Sequence, residues 1–252
     1  MGFTAVTALL ISVAGLMMPQ IYTVRLNRIT AYELMGQNTV TAFMSALFIL
    51  LLLFMDAQRI KTRIIRMGFL LYFFYMYAYF SFGGVSGSFY LLFVALTGLT
   101  FYLFAFDLID LIRNQQFPVA SDRYPAVSIS VFLFISILMV TVMEMQDLVS
   151  KTILRPEPLN PFDVFYVLDL AIIFPMIIIA AVLNLKRTGP GVLLSGVALI
   201  KIVTILPAVV LTDVFHRLNT GEFLDLSFDV MALVITGTGA LLLGLYLQRI
   251  KG

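Results

Sequence analysis

From Met67 to Phe106 the chain runs for forty consecutive residues without a charge. One helix needs about 20 apolar residues to cross the hydrocarbon core of a bilayer. Forty, with Gly83-Gly84-Val85-Ser86-Gly87-Ser88 at their middle, predict two crossings folded back on each other. The composition agrees. Of 252 residues 61% are hydrophobic and 12% charged, whereas soluble proteins hold about 25% charged residues. Lipid is needed to cover the surplus apolar surface. The expected fold is all-α, a single polytopic transmembrane helical bundle over residues 1–252.

Hydropathy places eight spans near 3–24, 40–55, 67–82, 89–106, 126–143, 164–185, 191–213 and 230–248. The first has no basic leader and no A-x-A cleavage site, so it reads as a crossing and not as a removed signal peptide. A seven-helix alternative leaves it on the surface or lost. Residues 25–39 read as a polar connection. Glu144–Asp163 reads as a long loop whose three prolines keep it from continuing a helix. With both termini in the cytoplasm, the inner side holds Arg59, Lys61, Arg63, Arg66, Arg113, Arg123, Lys186, Arg187, Arg249 and Lys251. The outer side holds Arg25, Arg28, Lys151, Arg155 and Arg217. This satisfies the positive-inside rule and predicts a multi-pass protein of a cell membrane.

Two charges stand well inside apolar runs: Asp169 in VFYVLDLAIIFPMIIIAAVL and Lys201 in VLLSGVALIKIVTILPAVVL. A charge in hydrocarbon costs a few to over ten kcal/mol unless paired, hydrated or neutralised. The short turn Lys186-Arg187-Thr188-Gly189-Pro190-Gly191 makes the two helices antiparallel neighbours. Counting at 1.5 Å per residue, the two groups differ in depth by roughly 8–12 Å, so a direct ion pair is stretched. The pair either lines a ligand or proton site or holds two helices in register. Pro175 and Pro207 remove donors and free the carbonyls of Ala171 and Val203, which frames a site or makes a packing kink. Tyr72, Tyr75 and Tyr79 share one helical face. They either reach the Asp169 carboxylate or a ligand, or form an aromatic packing face.

The remaining polar residues suggest less. Cysteine and tryptophan are absent, and His216 is the only histidine. No thiol chemistry, catalytic triad or ordinary zinc site is available, and no metal or cofactor is expected. A net charge of +2 gives no reason to expect nucleic acid. Glu144, Asp147, Glu157, Asp163, Asp213, Glu222, Asp225 and Asp229 lack calcium-loop spacing and read as solvated loop acids. Asp107 and Asp110 read as a helix ending in water. Thr236, Ala240 and Gly244, four apart, let the last span pack closely against a neighbour. No nucleotide-binding or hydrolase motif occurs. A lysine in a late helix invites comparison with retinal proteins, but there is no tryptophan and the lysine helix is not the last.

Several stretches together resemble a family of uncharacterised prokaryotic polytopic membrane proteins. They are GLMMPQIY, AYELMGQNTV, LLYFFYMYAYFSFGG, YLLFVALTGLTFYLF, NPFDVFYVLDLAIIFP, and the ALIK that follows KRTGPGVLLSG. The resemblance implies a recurring acid, proline and lysine, matched by Asp169, Pro175 and Lys201. It also implies an acid where this chain has Asn38, which places Asn38 among the candidate site residues. It implies a prokaryotic cytoplasmic membrane and no known activity.

The reading that follows is a membrane protein that binds or moves a small polar or ionic ligand, as transporter, channel or receptor. Asp169 would be the anion or proton acceptor, Lys201 the cation, and Tyr75 and Tyr79 the polar walls. The alternative is an accessory subunit of a membrane complex, or a homo-oligomer, in which the Asp169–Lys201 pair only fixes packing. A lipid-acting enzyme would have to rest on carboxylates alone and is the least favoured.

Overall fold

The computed structural model describes residues 1–18, 22, 28–83, 85, 87–154, 163–221 and 226–251. Among them nine α-helices follow in order: α1 Gly2–Met17, α2 Arg28–Phe54, α3 Ile60–Phe82, α4 Tyr90–Arg113, α5 Ala126–Val149, α6 Val164–Leu168, α7 Phe174–Leu185, α8 Gly189–Thr220 and α9 Leu226–Arg249. A π turn, Asp169–Ile173, joins α6 to α7, so Val164–Leu185 is one rod. Seven rods are long and apolar enough to cross a membrane. The first helix, α1, has 16 residues, about 24 Å at 1.5 Å per residue, against about 30 Å of hydrocarbon. It ends at Met17, short of the expected 24; residues 19–21 and 23–27 lie outside the described ones. Two short strands, β1 Val119–Ala120 and β2 Ile250–Lys251, pair antiparallel.

Several helices run past the ends that hydropathy set. The expected connection 25–39 is mostly α2. Hydroxyls along α2 are satisfied within the helix: Thr39, Thr41 and Ser45 donate to the carbonyls of Met35, Gln37 and Thr41 at 2.7–2.8 Å. The fifth span does not stop at 143. Helix α5 continues to Val149 and a second π turn, Ser150–Leu154; the prolines of the expected loop lie outside the described residues. The acids expected in solvated loops therefore sit on helices or at their starts, and Glu144, Asp163, Asp213 and Asp229 are buried. Glu157, Glu222 and Asp225 lie outside the described residues.

The two interior rods are α3 and α8, each 78% buried over its most apolar stretch, against 22–44% for the other five. The rest ring them and turn residues such as Leu91, Phe106, Val234 and Leu241 outward. Thr188 begins α8 by accepting from the Gly191 N–H at 3.2 Å, with Pro190 in the first turn. Gly221, at φ 84°, closes it in the left-handed conformation that favours glycine. Near the α7–α8 turn, the Asn184 amide donates to the Ala126 carbonyl and the Ser130 hydroxyl, each at 3.0 Å, and accepts from Tyr124 at 2.7 Å. Burial holds the Tyr124 phenol well above its ordinary range, although the Asn184 bond acts the other way; it stays a donor.

At the same end of the bundle α3 and α4 are tied by charge. Asp107 accepts from Arg66 through both oxygens, at 2.6 and 2.8 Å, and Arg63 donates to Asp110 at 2.6 Å and to Gln116 at 2.9 Å. Arg63 and Asp107 are buried. Asp107 thus does not simply end a helix in water. Asp110, with 51% of its side chain exposed, is closer to that expectation.

Gly36 lets α2 approach α8 closely, because a Cβ there would collide with the backbone of Leu211 and Thr212. A backbone neighbour cannot rotate away, so Gly36→Ala should cost about 1–3 kcal/mol by overpacking. Gly237→Ala, where a Cβ meets nothing within 4 Å, should be neutral or stabilising by up to about 1 kcal/mol. Unfolding of both variants in mixed micelles checks this; equal behaviour would mean that α2 and α8 are not held at this distance.

Candidate functional site

Asp169 and Lys201 meet, and they do so more closely than residue counting suggests. Lys201 Nζ lies 3.6 Å from Asp169 Oδ1, with both side chains under 10% exposed. The first reason is the π turn. The Phe174 N–H donates to the Asp169 carbonyl, five residues back. This wide turn precedes Pro175, which has no N–H to offer a regular helix. The second reason is the lysine stem, which spans the remaining height. Pro207, by contrast, sits within a continuous α8.

Tyr75 completes the arrangement. Its hydroxyl donates to Asp169 Oδ2 at 2.7 Å. Its ring centroid is 4.2 Å from Lys201 Nζ, a cation–π contact. One phenol therefore orients the carboxylate and supports the ammonium.

These groups line a cavity of about 470 Å³ between α2, α3, α5, the Val164–Leu185 rod, α8 and α9. Tyr79 and Gln37 are on its wall, as are Ser136 and Glu144 from α5. Glu144 faces Asp169 and interacts with it and with Lys201. It is 8% exposed, and its Oε2 has no hydrogen-bond partner among the described residues; Asp169 Oδ1 has none there beyond its ion pair with Lys201. One end of the cavity carries Phe165, Tyr166 and Asp147. There Tyr166 donates to Asp147, and Lys151 joins Asp147 at 2.8 Å and Asp163 at 3.2 Å. Among the described residues no group of three or more His, Cys, Asp or Glu side chains could hold a metal ion.

Four of the six residues singled out in the sequence, Asp169, Lys201, Tyr75 and Tyr79, share this cavity. The other two sit elsewhere. Tyr72 bonds Thr41 at 2.9 Å, and Asn38 donates to Tyr22 at 3.1 Å, in the packing of α1, α2 and α3. Residue reading missed Glu144. Its one sequence signal is its place directly after an eighteen-residue uncharged run, 126–143, on a helix that the structure continues. His216 bonds Glu33 at 2.8 Å and links α8 to α2.

The chemistry follows from a count. Around Lys201 two buried carboxylates, Asp169 and Glu144, face one ammonium, so this cluster is one positive charge short of neutral when all three are ionised. A cation or a proton supplies it. No known protein family, curated protein or solved structure matches the chain, so the cavity is characterised by its own geometry.

Proposed function

We propose that the protein is an integral membrane protein that binds or moves a small cationic ligand through the Asp169–Glu144–Lys201 cavity. The observation that carries this is Glu144 Oε2, buried and without a hydrogen-bond partner among the described residues, beside Asp169 Oδ1, whose one partner is the Lys201 ammonium, on the wall of one cavity. An ammonium ligand has N–H donors and no acceptor, the complement of that pair. The proposal extends to a prokaryotic cytoplasmic membrane, with α1 as an eighth crossing and both termini inside, as the lysine and arginine distribution favours. Transporter, channel and receptor all use such a site.

The test is thermal stabilisation of the purified protein by methylammonium and ethylammonium chloride, with sodium acetate as the opposite charge. The cations should stabilise saturably and acetate should not. Glu144→Gln should weaken the effect about tenfold or more, the range of a hydrogen bond to a charged group. Equal responses to cation and anion would remove the basis of the proposal.

A second reading has its own observation. On α9, Ala240 and Gly244 face outward, and Cβ atoms at Gly237 and Gly244 would meet nothing within 4 Å. Such a face suits close packing against another membrane helix, in a homo-oligomer or a larger complex. It is compatible with a ligand cavity on the other side of the same helix.

A further inference from the structure

The cavity is much larger than its charged cluster requires. Its volume of about 470 Å³ lies in the range of about 300–1,000 Å³ that encloses whole organic ligands. Beyond the four charged residues the wall is largely apolar, with Ile137, Val140, Ile173, Ile202 and Ile205. A small hydrated cation leaves these surfaces without a complement. A ligand with an alkyl portion does not.

A second space shows where that portion leads. Helix α9 packs on α8 and stands off from α5, leaving a groove of about 720 Å³ walled by Val131, Ile135, Met139, Val230 and Val234. Ile135 is 51% exposed and Val234 63%, so the groove opens on the outside of the bundle. Ser136 and Ile235 belong to both walls, that of the groove and that of the cavity. They lie near the midpoints of α5 and α9. For rods that cross a bilayer, midpoint depth is hydrocarbon depth. What lies outside the groove is then acyl chain and not water. Phe132 of α5 reaches Gly239 of α9 and narrows the groove beside this shared wall.

We infer that the ligand is a single-chain aliphatic amine that enters sideways from the bilayer, its ammonium between Glu144 and Asp169 and its tail in the α5–α9 groove. The charge of the head follows from the excess carboxylate. Glu144 and Asp169 are each over nine-tenths buried; Glu144 Oε2 has no hydrogen-bond partner among the described residues, and Asp169 Oδ1 has only the Lys201 ammonium. A phosphate head would place a further negative charge beside them, with Lys201 already paired to Asp169. This inference rests on the cation-binding reading above and adds the chemical class and the route.

The full chain in lipid nanodiscs is photolabelled with a dodecylamine that carries a diazirine near the end of its chain, and labelled peptides are mapped by mass spectrometry. Label should fall saturably on 131–139 and 230–235. Excess ethylamine or unlabelled dodecylamine should displace it and dodecanoate should not. Glu144→Gln should lower it at least tenfold. Glu144→Asp, which keeps the charge, should retain most of it and guards against a folding defect in the amide variant. Saturable, ethylamine-sensitive label confined to other cavity residues would overturn the lateral route and leave the cation site standing. Label spread over all outward helix faces, or displaced equally by dodecanoate, would overturn the inference. If ethylamine neither binds nor competes, the cation-binding reading falls with it.

Discussion

Replacing Lys201 with methionine should lower the unfolding free energy by about 3–5 kcal/mol, the cost of stranding a buried charge. The ammonium is 5% exposed and lies 3.6 Å from Asp169 Oδ1. At an effective dielectric of about 20 that separation gives an attraction of about 4–5 kcal/mol. The contact with the Tyr75 ring contributes about 2 kcal/mol at most. The ion pair therefore dominates. Without Lys201, Asp169 and Glu144 face each other with no positive charge between them. Adding Asp169→Asn removes one of the two carboxylates, so the double variant should recover at least half of the loss. Unfolding in mixed detergent micelles measures all three proteins. If the double variant is as unstable as the single one, Lys201 contributes through the packing of its stem and not through its charge.

A loss of similar size is expected at the other charged cluster, where no ligand is invoked. Asp107→Leu should cost about 3–5 kcal/mol, because it leaves Arg66 and Arg63 buried beside an apolar side chain. The side chains of Arg63, Arg66 and Asp107 are 6%, 11% and 11% exposed, so solvent screens them little. Asp110→Asn is the built-in contrast. That carboxylate is half exposed, and its removal should cost no more than about 1 kcal/mol. For a chain of about this size each kcal/mol shifts the melting temperature by about 2–4 °C, so the variants should separate by several degrees. Equal melting temperatures for the two would mean that the Arg66–Asp107 pair is no stronger than a surface pair.

The two clusters also show what could be read from residues alone. Asp169 and Lys201 were legible because apolar residues surround them in the sequence, and a charge in that setting has few bland explanations. Glu144 and Asp107 have the same burial but sit where an uncharged run gives way to charge. At such a boundary, hydropathy does not distinguish an acid that meets solvent from one that turns inward on a helix that continues. The start of α2 was hidden for a related reason. Asn38 and Thr39 look like loop residues until their partners, Tyr22 and the carbonyl of Met35, are known. The spacing of the tyrosines predicts a shared face, but period does not say which neighbour each ring meets. Tyr75 turns to Asp169 and Tyr72 to Thr41. The α5–α9 groove had no signal, since it depends on how far apart two helices stand along most of their length.

The widened turn from Asp169 to Ile173 sets a limit on what this rod can lose. Each residue of a regular helix subtends about 100°. Deleting one amino acid here would rewind the segment and swing the Asp169 side chain by about that angle relative to α7, away from Lys201 and Tyr75. Every amino acid type flanking the deletion could be kept and the centre would still come apart. At this point in the chain, spacing matters more than composition.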